Sequence, residues 1–257
     1  MARIGIMGGT FDPIHNVHLM LGIQAYREYH LDSVWYMPSK CPPHKSDHVV
    51  TSTKDRCEMV RQAIHPYPFM VFSDFELLRE GNTYTADTLR LLHESYPEHE
   101  FFFIIGADSL FNIEKWYHPE QVLTQAIFLV AGRLNSHLLT HVENTRFRNS
   151  SDSCCLGYAY SSYSSSHSAC SLGSGCSDDE ERRERGEQAG EEELDRQIAY
   201  LSEKYHTKIF RLHTEDTDVS STRIRDMVFH GKSIRHMVPA EVAAYIERFC
   251  LYQRVSE

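Results

Sequence analysis

Short apolar runs alternate along this chain with stretches whose apolar residues recur every three or four positions. Residues 3–7, 34–37, 69–73, 101–105, 126–131 and 208–212 are brief, apolar and bounded by polar or turn-forming positions, and read as buried strands. Between them, residues 18–29, 54–64 and 86–95 carry the helical period. Strands separated by helices imply βαβ units, and hence a parallel sheet with both faces covered. The chain is therefore predicted to be α/β, with a doubly wound parallel sheet. Two C-terminal helices are predicted at residues 221–229 and 239–249. Pro239 suits a first helical turn, and Glu241 places negative charge near that N-terminus.

The alternation stops at about residue 135. Positions 150–177 hold 12 serines in 28 residues with few large aliphatics, and an acidic run follows. Such composition buries too little apolar area to offset the entropy of ordering it. A disordered Ser/acid-rich insertion is expected at about 135–190, within a single domain spanning 1–257. Helix resumes at 191–205.

Composition then narrows the function classes. Hydrophobic residues make up 41% and charged residues 24% of 257 residues, as in ordinary globular proteins. The longest apolar runs fall far short of a membrane span, and the N-terminus enters a strand-like run without a signal peptide. No membrane partner and a cytoplasmic location are expected. Of the formal charge of −10, a net −7 comes from residues 178–195, which leaves the rest close to neutral. Without a basic stripe, nucleic acid is not an expected partner. The seven cysteines, in a chain without an export signal, read as reduced thiols. Cys154, Cys155, Cys170 and Cys176 lie in one stretch with His167, but no pair is spaced C-x2-C, which leaves a zinc site with little support.

The chemically loaded residues fall just after the predicted strands, where open α/β sheets bind ligands. Residues 8–19 read GGTFDPIHNVHL, with Gly8, Gly9, Thr10 and Phe11 ahead of His15 and His18. PSKCPPHK, containing Lys45, follows the second strand. Gly106 and Asp108 follow the fourth, Arg133 the fifth, and SSTRIR, with Ser221, Thr222 and Arg225, follows the last. Backbone amides, hydroxyls and cations converging on one edge suit a polyphosphate. His15 and His18, three apart on a helix start, could touch one phosphate. Asp12, His15 and His18 also recur at a metal-ligand interval, though no further ligand cluster accompanies them. The loop is neither G-x-x-x-x-G-K-S/T nor G-x-G-x-x-G.

GGTFDPIHNVHL, PSKCPPHK, YTADTL, FFFIIGADSL with the following KW, and VSSTRIR occur in the order found in bacterial nicotinate-nucleotide adenylyltransferases. The chain resembles that branch of the nucleotidyltransferase superfamily over roughly 1–133 and 195–252. The resemblance implies a Rossmann-like fold and adenylyl transfer from ATP to nicotinate mononucleotide, giving nicotinate adenine dinucleotide and pyrophosphate in NAD biosynthesis. By matching motif positions it implies that Gly8, Gly9, Thr10, Phe11, His15, His18, Gly106, Asp108, Arg133, Ser221, Thr222 and Arg225 bind ATP. It assigns Lys45, Tyr84, Thr85 and Trp116 to the nicotinate nucleotide, and charge stabilisation to His18, His15, Lys45 and Arg225. Magnesium would arrive on ATP, and a homo-oligomer is compatible with the sequence without being required by it. One position departs: the hallmark H-x-G-H has glycine where this chain has Val17, whose β-branched side chain is expected to narrow the space for ATP. Two other readings are a weakened nucleotide-binding protein of this fold and a transferase using another phosphate acceptor.

Overall fold

The computed structural model describes residues 1–40, 50–79, 81, 83–132, 176–213 and 219–254. Its elements run β1 (Arg3–Gly9), α1 (Asn16–Glu28), β2 (Ser33–Pro38), α2 (Thr53–Ile64), β3 (Met70–Phe72), α3 (Thr85–Ser95) and β4 (Glu100–Gly106). Then follow α4 (Ala107–Phe111), a 3₁₀ turn (Ile113–Lys115), α5 (Pro119–Gln125), β5 (Ile127–Ala131), α6 (Cys176–Tyr205), β6 (Ile209–Leu212), α7 (Ser221–Phe229) and α8 (Ala240–Arg248). The strands form one six-stranded sheet in the order β3-β2-β1-β4-β5-β6, with every pairing parallel. This is the Rossmann-like, doubly wound order, whose topological switch lies between β1 and β4.

Alternation along the central strands explains the two layers. Phe101, Phe103 and Ile105 of β4 join the core on one face, while Phe102 and Ile104 join the core on the other. The first face packs against α3, α4, α5 and α6 through Leu89, Leu110, Val122 and Leu201. The second packs against α1, α2, α7 and α8 through Ala25, Val60, Ile224 and Ile246. Strands buried on both sides need continuous apolar sequence, which is why FFFII carries no polar position.

All six strands lie where the pattern predicts them. The short α4 and α5 were not anticipated, since five and seven residues hold too few repeats of a 3.6-residue period to register. The serine-rich part of the predicted insertion lies outside the described residues, as do Cys154, Cys155, His167 and Cys170. Its acidic end is corrected: α6 begins at Cys176 rather than at 191. Glu, Arg, Gln and Ala are strong helix formers, so a run unable to form a core can still propagate a helix. Among the described residues, no helix is long and apolar enough to cross a membrane.

Candidate active site

The switch point brings the ends of β1 and β4 side by side, and with them Gly8, Gly9, Gly106 and Asp108. Gly106 faces open space, and Asp108 stands exposed in the first turn of α4. Gly9 also makes room for a neighbouring ring. A side chain there would meet the ring of Phe11 at 3.3 Å, so its absence seats that ring. Phe11 is buried with φ of 50°, in the left-handed region where a bulky residue needs its surroundings to hold it. Its ring meets His18 edge-on, with centroids 5.1 Å apart.

His15 is the N-cap of α1, and His18 sits one turn inside. Their rings stack with centroids 3.7 Å apart, and the His15 backbone N–H donates to Nδ1 of His18 at 3.2 Å. Because Nδ1 accepts, the neutral His18 imidazole carries its proton on Nε2. The His18 carbonyl accepts from the buried Tyr36 hydroxyl at 3.0 Å. That contact depends on Gly22, where a Cβ would come within 2.2 Å of the hydroxyl oxygen. His15 is only 5% exposed, and burial pushes its pKa down to about 4. Its Nδ1 is buried without a hydrogen-bond partner among the described residues. His15 is therefore neutral at pH 7, so the stacked pair is not a pair of cations.

Three of the predicted ATP residues lie on α7 and dock onto the β1 loop. Ser220 caps α7 by accepting from the Arg223 backbone N–H, and Ser221 donates to the Pro13 carbonyl at 2.9 Å. Arg225 donates to the Asp12 carbonyl at 2.7 Å and to Thr222 Oγ1 at 3.3 Å. The Asp12 carboxylate, itself 1% exposed, accepts from the Tyr252 hydroxyl at 2.7 Å and from the Thr51 backbone N–H at 3.3 Å. Burial and Asp12 together push the Tyr252 hydroxyl pKa up, so it remains a donor.

A second cluster stands where α3 begins. Tyr84 is its N-cap and Thr85 its first residue. Beneath them Glu76 accepts from the Thr88 hydroxyl at 2.8 Å, and that hydroxyl accepts from Arg79 at 2.9 Å. Trp116 ends the 3₁₀ turn and packs half-buried against the core. Tyr117, 49% exposed and not singled out in the sequence, brings its ring to 4.4 Å from Tyr84. Glu114 anchors that turn to α6 by accepting from Lys204 at 2.6 Å and Tyr205 at 2.9 Å. The structure thus gathers Thr10, Phe11, His15, His18, Ser221, Thr222 and Arg225 in one group and Tyr84, Thr85 and the 116–117 segment in another. Lys45 and Arg133 lie outside the described residues. Val17 is half-buried against the core cluster that contains α1. Sequence reasoning also missed Arg56, whose place on the α2 stripe with Val60 and Ala63 was a readable signal of a buried charge.

The profile of the cytidylyltransferase-like family matches residues 6–227. A protein of Lachnoclostridium phytofermentans named probable nicotinate-nucleotide adenylyltransferase is 36% identical over 252 residues, covering 98% of this chain and all of that one. One of the same name from Desulfitobacterium hafniense is 34% identical, over 98% of this chain and 96% of its own length. Among solved structures, Plasmodium falciparum nicotinic acid mononucleotide adenylyltransferase complexed with NaAD superposes with a TM-score of 0.63 at 17% identity, over 98% of each chain. That last likeness concerns the fold alone.

Proposed function

The chain belongs to the cytidylyltransferase-like family and within it to the nicotinate-nucleotide adenylyltransferases, and from that premise we propose the following reaction. The enzyme transfers the adenylyl group of ATP to nicotinate mononucleotide. A phosphate oxygen of the mononucleotide attacks the α-phosphorus of ATP, the bond from that phosphorus to the bridging oxygen breaks, and pyrophosphate leaves. The attacking oxygen is ionised at neutral pH, so no general base is required. The protein's task is to align two polyanions and to neutralise charge developing on the leaving group.

The observation that carries this reading is the docking of α7 onto the β1 loop at the switch point, which ties Ser221 and Arg225 to the Pro13 and Asp12 carbonyls just ahead of the stacked His15 and His18. On this reading His18 points its Nε2–H at the triphosphate, Arg225 supplies fixed positive charge, and Ser221 and Thr222 hold phosphate oxygens. Gly8, Gly9, Gly106 and Asp108 border the nucleotide, while Lys45 and Arg133 add charge from the loops that bear them. Magnesium enters as part of the substrate, on ATP. The Asp12 carboxylate already accepts two hydrogen bonds from the protein and is not needed as its ligand. Trp116 stacks on the pyridine ring, and the backbone amides opening α3 near Thr85 receive its carboxylate.

A carboxylate suits those donors, whereas a carboxamide NH2 opposes them, a mismatch of the order of several kcal/mol. A pyrophosphate-release assay with ATP and a panel of mononucleotides tests the assignment. The nicotinate form should have the highest kcat/KM. An equal or better value with the nicotinamide form would remove the acceptor assignment, and no pyrophosphate with any acceptor would remove the activity.

A further inference from the structure

Among the described residues, Arg56 is the largest fully buried side chain, at 1% exposure. A guanidinium stays charged at any accessible pH, so its burial is tolerable only where its donors are met. Here Nε donates to the Thr51 carbonyl at 3.1 Å and Nη1 to the Thr10 carbonyl at 2.6 Å. Nη2 donates to the Ser39 carbonyl at 2.9 Å and to Thr53 Oγ1 at 3.2 Å. Thr10 belongs to the loop after β1, Ser39 to the loop after β2, and Thr51 to the approach to α2. One rigid, planar fork therefore bridges three chain segments just past the β1–β2 pairing, adding to the backbone link in which the Ser39 N–H donates to the Gly9 carbonyl at 2.9 Å. Thr51 extends the bridge, because its N–H donates to the buried Asp12 carboxylate.

We propose that Arg56 is a positioning residue of the transfer step. It fixes the loop after β1, which carries the donor-side residues Thr10 and Phe11 and leads to His15, against Ser39 at the end of β2 and Thr51 on the approach to α2. The loop so fixed carries groups that must hold ATP in register with the incoming mononucleotide, so Arg56 sets that placement from a buried position. This rests on the adenylyl-transfer reading, which wild-type turnover tests by itself. A failure of that assay is thus separable from a failure of the variants below.

The test compares Arg56→Lys and Arg56→Ala with the wild-type enzyme. A lysine keeps the charge but cannot span the carbonyls of Thr10, Ser39 and Thr51 together. Binding of ATP alone and of nicotinate mononucleotide alone, each by titration, should stay within about threefold in folded Arg56→Lys, whereas the single-turnover rate with both should fall about 10- to 100-fold, the scale of a sub-ångström to ångström misalignment. Methylguanidine in the buffer should restore part of the rate to Arg56→Ala and none to His18→Ala. An unchanged rate in folded Arg56→Lys overturns the proposal. So does a loss in which both separate affinities weaken in step with the rate, since a merely structural residue would behave that way. If neither Arg56 variant folds, Thr53→Val decides, as it removes one acceptor and keeps the shape. A rate a few-fold lower at unchanged melting temperature supports the proposal, and an unchanged rate overturns it.

Discussion

Around the end of β1 several polar groups are held by distant parts of the chain, whereas around the start of α3 the surface is aromatic and open. The donor side has Ser221 on Pro13, Arg225 on Asp12, Tyr252 and Thr51 on the Asp12 carboxylate, and His18 on the His15 amide. The acceptor side offers the rings of Tyr84 and Tyr117 and a half-buried Trp116, supported from below by Glu76 and Thr88. On the proposed reading, the difference matches what each ligand asks of the protein. A triphosphate whose charge moves during reaction needs fixed dipoles aimed in advance, because a donor that must reorient loses much of its effect. A pyridine ring needs a flat apolar surface and a few donors at its edge. The donor side should accordingly govern rate, and the acceptor side affinity.

The strongest test of that division is His18→Ala. His18 stacks on His15 and accepts at Nδ1, so on the proposed reading its removal takes away one preorganised donor at the leaving group. The expected loss in kcat is about 10²-fold or more, equivalent to about 3 kcal/mol, with the fold retained. Normal turnover in a folded variant would strip the donor side of its assigned role.

His15 allows a test on stability rather than rate. Burial lowers its pKa from 6.5 to about 4 in the folded chain, whereas the unfolded chain keeps the ordinary value. Between pH 6.5 and 4 the unfolded state binds the extra proton, so stability is full above pH 6.5 and declines as pH falls towards 4. The loss attributable to this group is of the order of 3 kcal/mol at most. Urea unfolding of wild type and His15→Asn across that range should show a flatter pH dependence in the variant. Parallel curves would mean that His15 is solvated and open to protonation in the empty site.

These two predictions also mark what the sequence could and could not reveal. FFFII, RIGIM and the helical period over 54–64 were legible because burial on two faces or on one stripe leaves a direct imprint on residue order. GGTFDPIHNVHL and SSTRIR stood out by residue type and position after a strand, and the fold brings the two stretches together. That Ser221 and Arg225 clasp the carbonyls of Pro13 and Asp12 was not legible, since a carbonyl has no sequence identity and the contact spans some two hundred residues. The same holds for Arg56, whose acceptors include three carbonyls. Nor does the sequence show that the missing side chain of Gly9 also seats the Phe11 ring. Composition placed the start of α6 too late because acidity argues against a core and not against a helix.

On the acceptor side, Trp116→Ala should raise KM for the mononucleotide about tenfold or more, the scale of losing one aromatic stacking surface, and leave KM for ATP within twofold. Trp116→Phe should recover most of the difference. Because Trp116 also packs on the core, melting curves on both variants separate a lost surface from a loosened turn. A fall in kcat at unchanged KM would place Trp116 with the donor side and dissolve the division.

The smallest effect is expected at Val17, which stands where the family hallmark has glycine. Its β-branched side chain would crowd a nucleotide lying along the start of α1, yet it is half-buried against the core cluster containing α1 and α2. The two demands act on different observables. Removing the side chain forfeits part of its burial and adds the backbone freedom of glycine in a first helical turn, together about 1 kcal/mol of stability. If the side chain also crowds ATP, its removal should ease binding. Val17→Gly is expected to lower the melting temperature slightly while KM for ATP stays the same or falls. Val17→Phe carries more information, because a phenyl ring exceeds the half-buried niche and must project towards the nucleotide or disturb the core. A folded Val17→Phe protein with wild-type ATP affinity would show that position 17 never meets the donor. A folded one that has lost ATP binding would make this valine the tightest point of the donor side, and a fold that survives only with small residues there would assign it wholly to packing.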